Sequence, residues 1–330
     1  MYSCPFNLAR EGRRALWELT YRCNLLCKHC FIFDNAAIPQ REEMGPKEYK
    51  KIITLLPSLG INEVWLSGGE PLLNRYVFDI IDLLHQNGIK VSISSNGVLI
   101  NRNTLERIRG KIGYIHVSID GKDAETHDKI RGVPGSFEKM VNAVKLLTSA
   151  GIKVGASCVV SKYNIGQYQE LADFAFNLGI SVMSFYPAID LGRGKQEILP
   201  SATLEKISKE LNAISADYNG KMKIEVFRLF DGKPLDPCRA DKFITITPYG
   251  AIGPCPWLCK SRNDLFIDPF DESSKNIIER ITASVIRIND SRVAAMGKCT
   301  SCELNSSCGK GCPAITEQYD TLCVKNYDSN

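Results

Sequence analysis

Short β-branched runs alternate with amphipathic stretches from Ala15 to Tyr186, and that rhythm constrains the fold more than any other feature of the chain. ALWELT (15–20), EVWLSG (63–68), KVSISS (90–95), YIHVSID (114–120), KVGASCVV (153–160) and SVMSFY (181–186) read as strands. PKEYKKIITLLPSLG, YVFDIIDLLHQNG, SFEKMVNAVKLLTSAG and GQYQELADFAFNLG read as helices. Each runs to a glycine (Gly60, Gly88, Gly151, Gly179) where a left-handed C-cap belongs. Strand–helix–strand alternation at this spacing builds βαβ units around a parallel sheet. Six units fall short of the eight that close a barrel, so the expected fold is α/β, a partial (βα)6 TIM-like barrel. Residues 201–218 add a helix and KIEVFRLF (223–230) a strand, and after about residue 235 the texture changes to short segments, turns and cysteines. A segment of that kind is held by metal more readily than by a hydrophobic core.

Composition removes several function classes. Hydrophobic residues make up 44% of the 330 residues and charged residues 24%, ordinary values for a globular chain with a real core. A net charge of +4, with scattered basic residues, gives no footprint for nucleic acid. No run approaches the ~20 apolar residues of a membrane span, and the segment from Met1 to Thr20 lacks the apolar core of a signal peptide. A cytoplasmic location is expected. Thirteen cysteines are then the anomaly, because a reducing cytosol favours metal ligands or reactive thiols over disulfides.

The unusual residues fall at one end of the expected barrel. The loop CNLLCKHC (23–30), with Cys23, Cys27 and Cys30, follows the first strand. Ser67-Gly68-Gly69-Glu70-Pro71 ends the second, Ser94-Ser95-Asn96-Gly97 the third, and Ser118 and Asp120 close the fourth. That is the face on which barrel enzymes assemble active sites. Three thiolates without a nearby fourth suggest a metal centre left one ligand short, whereas a structural zinc site takes a closed set of four. The CX3CX2C loop, the Gly-Gly-Glu, the Ser-x-Asp and Arg131-Gly132 together resemble the radical S-adenosylmethionine (SAM) superfamily, and the resemblance runs from the N-terminus through the sixth strand. It implies a [4Fe–4S] cluster on Cys23, Cys27 and Cys30, with SAM bound at the fourth iron. It also implies reductive cleavage of SAM to a 5′-deoxyadenosyl radical that abstracts hydrogen from a substrate. By the same resemblance Gly68, Gly69 and Glu70 receive the amino group of SAM. Ser118 and Arg131 meet its carboxylate and ribose side, and Ser95 and Asn96 share that face. His29 stands where the family usually places Tyr or Phe over the adenine.

A second cysteine field follows. Cys238, Cys255, Cys259, Cys299-x2-Cys302-x5-Cys308-x3-Cys312 and Cys323 are similar to the SPASM extension of radical SAM enzymes. That similarity implies two auxiliary [4Fe–4S] clusters, three in all. The outer would sit on Cys299, Cys302, Cys308 and Cys323, and the inner on Cys238, Cys255 and Cys312 with Cys259 as the natural fourth ligand. In isolation the segment reads equally well as two zinc sites. The implied domains are a barrel core (1–197), a bridging helix and strand (198–235) and a SPASM domain (236–330).

Most enzymes of this type modify peptides, so the expected substrate is a ribosomally made peptide undergoing crosslinking, epimerisation or backbone rearrangement. A small molecule of aminoglycoside or nucleoside type is the alternative, and a non-catalytic iron–sulfur or zinc protein the competing class. Only the short segment from Met1 to Arg22 precedes Cys23. This leads to the expectation of a separate leader-peptide-recognition protein, alongside an external electron donor of flavodoxin or ferredoxin type. Tyr186, Asp190 and Glu225 are candidates for proton handling near the mouth. Cys158 is a candidate hydrogen-atom donor, although a free cysteine in an apolar run is more often simply core.

Overall fold

The computed structural model describes residues 13–33, 42–226, 243–261, 263–271 and 274–295. The alternation is realised as β1 (Arg13–Glu18), α1 (Pro46–Leu55), β2 (Ile61–Ser67), α2 (Val77–Gln86), β3 (Lys90–Ser95), α3 (Arg102–Ile108) and β4 (Tyr114–Ser118). There follow α4 (Ala124–Arg131), α5 (Ser136–Ser149), β5 (Lys153–Val160), α6 (Tyr168–Asn177), β6 (Val182–Pro187), α7 (Ser201–Asp217) and β7 (Lys223–Val226). Beyond them lie β8 (Phe243–Ile246), β9 (Ile252–Gly253), α8 (Pro256–Ser261) and α9 (Ser274–Ala295). Among the described residues the sheet order is β7-β6-β5-β4-β3-β2-β1-β8-β9, parallel except for the last pair, and the sheet is open between β7 and β9. The six expected strands form its centre.

Side-chain parity divides the sheet into two faces. Val64 and Leu66 of β2, Val91 and Ile93 of β3, Ile115 and Val117 of β4, and Met183 and Phe185 of β6 are buried in the hydrophobic core. They share that core with helix residues such as Ile52, Ile81, Val144 and Leu171. Each such side chain contributes roughly 1.5–3 kcal/mol by leaving water. The alternate residues turn into the barrel, and many are small hydroxyls: Ser67, Ser92, Ser94, Ser118, Ser157 and Ser184 all border an internal cavity. Closed barrels fill this space with branched apolar side chains; here the small residues leave it open.

Two features depart from the expected texture after residue 235. FITI (243–246) is fully buried and pairs in parallel with β1, Ala15 opposite Ile244 and Trp17 opposite Ile246, so the barrel sheet extends into that segment. A 22-residue helix, α9, also replaces the expected short segments. Its Ile277, Ile281 and Val285 are buried at four-residue spacing, one stripe of a helix facing the core.

Candidate functional site

The loop after β1 is locked onto its neighbours by backbone bonds. Leu19 N–H donates to Ser67 O (2.9 Å), Gly69 N–H to Thr20 O (2.8 Å) and Glu70 N–H to Arg22 O (2.9 Å). This extends the β1–β2 ladder past both strand ends. The approach is so close that a Cβ at Gly68 or Gly69 would strike the backbone of Thr20 or Arg22, and Gly68 has φ of 127°. The paired glycines are thus required before any ligand is considered. On the far side Leu26 N–H donates to Arg131 O (3.0 Å) and Lys28 N–H to Ile130 O (2.9 Å), tying the loop to the end of α4. Beyond β6, Arg193 closes the third side: its N–H reaches Cys30 O and Phe33 O (2.9 Å each), and its Nε donates to Cys27 O (2.8 Å).

Hydrogen-bond donors converge on the thiols. Leu25 N–H lies 3.4 Å from Cys23 Sγ, Arg131 Nη1 3.6 Å from Cys27 Sγ and Asn96 Nδ2 3.9 Å from Cys23 Sγ. Burial pushes the Cys23 thiol up to about 11 and raises Cys27 as well. These residues fit an iron–sulfur cluster, whose thiolates accept such bonds and are deprotonated by the metal.

Two fully buried carboxylates frame the mouth. Glu70 accepts from Ser95 Oγ (2.9 Å), from the Asn96 N–H (2.8 Å) and from the Leu72 N–H (3.2 Å), joining the ends of β2 and β3. Burial lifts its pKa to about 7 against those bonds. Its oxygens are spent inside the protein, so Gly68 and Gly69, but not Glu70, border the cavity. Asp120 sits with Oδ2 2.6 Å from Arg131 Nε and 3.7 Å from His29 Nε2, and its Oδ1 accepts from the Val159 N–H (2.8 Å). Its pKa is lowered: burial, the largest single influence, opposes ionisation, and the Arg131 guanidinium, the His29 and His127 rings and the Val159 N–H together outweigh it. His29 is buried, and burial drives its pKa down to about 4, so the imidazole at the cavity wall is neutral.

The cavity has a volume of about 1050 Å³. Cys23, Cys27, Cys30, His29, Ser95, Asn96, Ser118 and Arg131 gather at one end of it. Tyr186 and Glu225 also line it, and Glu225 accepts from Ser184 Oγ (2.8 Å) and Lys223 Nζ (2.5 Å). Asp190 is solvent-exposed and outside the wall. Cys158 faces the opposite side of β5, fully buried in the core with Asn164 Nδ2 3.3 Å from its sulfur. Its neighbours Ser157 and Val159 are the residues that reach the cavity. Parity therefore removes Cys158 as a hydrogen-atom donor to anything in the lumen.

Of the second cysteine field, Cys255 and Cys259 are described. They lie four residues apart, Cys255 just before α8 and Cys259 within it, and the Cys259 N–H donates to Cys255 O (2.8 Å). A Cβ at Gly253 would overlap Cys259 Sγ, so that glycine makes room for the thiol. Trp257, between them, borders the cavity and packs edge-on against Phe31 of the cysteine loop (6.3 Å between centroids). Cys238, Cys299, Cys302, Cys308, Cys312 and Cys323 lie outside the described residues.

Sequence reasoning passed over Arg193 and the aromatic group Trp65, Tyr114 and His116 deeper in the lumen. Tyr114 Oη lies 3.3 Å from His116 Nδ1, and the ring crosses β5 in space left by Gly155. The available signals were the two glycines of Leu191-Gly192-Arg193-Gly194 and the lone glycine inside KVGASCVV.

Residues 17–175 match the family model described as the radical SAM superfamily. An AdoMet-dependent heme synthase of Methanosarcina barkeri is 29% identical over 331 residues, covering 93% of each chain. The mycofactocin maturase MftC of Mycobacterium ulcerans is 29% identical over 94% of this chain and 87% of its own. Among solved structures, Streptococcus suis SuiB bound to its precursor peptide SuiA superposes with a TM-score of 0.74 at 20% identity, over 94% of this chain and 75% of that one. That likeness shows the same fold. A matched domain across the strands that build the mouth, with relatives spanning nearly the whole chain, makes this chain an enzyme of the radical SAM superfamily.

Proposed function

We propose that the chain is a SPASM-type radical SAM enzyme that matures a ribosomally synthesised peptide. Membership of the family implies SAM and one [4Fe–4S] cluster, with Cys23, Cys27 and Cys30 as the ligands assigned to it here. When bound, that pair supplies reductive C–S cleavage and a carbon-centred radical able to take hydrogen from an unactivated carbon. The protein's part is orientation and exclusion of water. The backbone of Gly68 and Gly69 meets the amino group of SAM, Ser118 and Arg131 its carboxylate and ribose side, and neutral His29 offers a stacking face without a competing charge. Ser95 and Asn96 hold Glu70, which fixes the glycine turn. The cavity beyond takes the substrate side chain, with Tyr186 and Glu225 available to handle a proton.

One observation carries the peptide reading. Cys255, just before a short helix, and Cys259 within it lie two residues either side of Trp257, which reaches both the cysteine loop and the cavity, so a pair of thiols sits behind one residue of the cavity wall. This supports an inner auxiliary cluster near the substrate, with the other SPASM cysteines completing two auxiliary clusters within residues 236–330. The MftC likeness supports a peptide substrate. The full-length likeness to a heme synthase supports a second reading, a tetrapyrrole-type substrate.

Metal and sulfide analysis of anaerobically purified protein tests the cluster count. About twelve irons and twelve sulfides per chain are expected from three clusters. About four irons with two zincs would leave the SAM cluster and remove the auxiliary pair. Co-expression with small precursor-like peptides, read by mass spectrometry, then separates the substrates. A mass change in a peptide supports maturation, whereas turnover of an added porphyrin with no peptide changed would favour the second reading.

A further inference from the structure

The back of the cysteine loop carries an unusual group of charges. Lys28, Lys129 and Lys162 come from three separate segments, yet their Nζ atoms lie 5.4, 5.2 and 5.1 Å from the centroid of one ring, Tyr163. An exposed cation–π contact gives back only about 0.5–1 kcal/mol, and three like charges around one ring repel one another. The one carboxylate paired with them in the described structure is Glu197, 3.6 Å from Lys162, and it is itself buried. Close by, Leu26 is 64% exposed and Ile165 46% exposed, two of the five large apolar side chains most exposed among the described residues. Apolar contact area with a charged rim is the anatomy of a transient interface.

Its location names the partner. Leu26 and Lys28 flank Cys27 in the chain, while the Cys27 sulfur points the other way, toward Arg131 and the cavity. Lys28, Lys129, Lys162 and Tyr163 do not border the cavity. A substrate must enter the lumen, so this outer surface is poorly placed for one. It lies instead at the two chain neighbours of the cluster ligand Cys27. We infer that Leu26, Lys28, Lys129, Lys162 and Tyr163 form the docking surface for an acidic one-electron carrier, a reduced flavoprotein or ferredoxin-type protein. The carrier loses one electron, the cluster bound at Cys27 gains it, and no proton moves. This inference rests on the radical SAM reading of the site. Opposite charge across the contact accelerates encounter and makes it salt-sensitive.

The test compares two reductants on the loaded full chain carrying Lys129→Glu and Lys162→Glu. With reduced flavodoxin at low salt, the rate of cluster bleaching followed by stopped-flow absorbance should fall about tenfold or more, with a flattened salt dependence. With dithionite, iron content and SAM cleavage should stay within about twofold of wild type. Equal losses with both reductants would mean a structural defect and overturn the inference. So would an unchanged flavodoxin rate, or a weakened KM for substrate with cluster reduction intact, which would assign the surface to an acidic peptide. Absence of dithionite-driven cleavage in the wild type would instead bring down the radical SAM reading and this inference with it.

Discussion

The two walls of the cavity mouth each bury a carboxylate completely, and they hold it in opposite ways. On the β2–β3 wall, Glu70 faces only neutral donors, Ser95, Asn96 and Leu72, and its pKa rises to about 7. On the β4–β5 wall, Asp120 faces a guanidinium at 2.6 Å and its pKa falls. The first is a carboxylate whose ionisation burial opposes and neutral donors only partly offset. The second is an obligatory anion, since it anchors the arginine that also reaches Cys27. Geometry near the cluster is therefore set on one wall by hydrogen bonds and on the other by charge.

The contrast breaks first at Asp120. Asp120→Asn leaves Arg131 buried and unpaired, which costs about 3–5 kcal/mol; urea denaturation of the iron-free chain should show a loss of that size. Glu70→Gln keeps the shape but turns an amide N–H toward one of the donors that Glu70 satisfied. The expected loss is smaller, about 1–3 kcal/mol. Equal losses at the two sites would erase the distinction.

The pH windows sharpen it. For Glu70 the folded value of about 7 exceeds the ordinary 4.5, so its contribution is fully present below about 4.5 and is lost as pH rises toward 7. For Asp120 the folded value lies below the ordinary 3.8, so its contribution is present above 3.8 and is lost as pH falls through the lowered value. Stability curves of the iron-free chain should accordingly lose their decline between pH 4.5 and 7 in Glu70→Gln, and part of their acid limb in Asp120→Asn. A Glu70→Gln curve parallel to wild type across that window would contradict the assignment.

The smallest effect is expected at Cys158, on the core side of the β5 strand that supports the Asp120 wall. Cys158→Ala should leave product formation within about twofold of wild type, with a modest stability loss from a small cavity. Intact SAM cleavage with no product would return Cys158 to the chemistry.

How much of this was legible in the chain depends on how local the cause is. The strands Lys90–Ser95 and Lys153–Val160 were readable to the residue, because a glycine-capped helix precedes each and alternation marks the faces. The same alternation places Cys158 opposite the cavity, as the bland reading of an apolar cysteine has it. The pairing of Phe243–Ile246 with β1 was not readable. Four apolar residues in a cysteine-rich segment carry no sign that their partner is Arg14 to Trp17, at the other end of the chain. The stripe Ile277, Ile281, Val285 was present in the sequence but was outweighed by the cysteines around it. Arg131 was legible by resemblance, whereas its anchor on Asp120 depends on how the strand-four end meets the end of α4. Glu70 shows the limit most clearly: a motif places it at the site, and only packing reveals that its oxygens turn away from the cavity.

The most direct measurement of the central claim is 5′-deoxyadenosine released from SAM by anaerobically reconstituted, dithionite-reduced protein, beside a Cys27→Ala control. Wild type loaded with at least about four irons should release it together with methionine, and Cys27→Ala should fall to background. Loaded wild type that releases none, or a Cys27→Ala variant that cleaves SAM as well as wild type, would contradict the account.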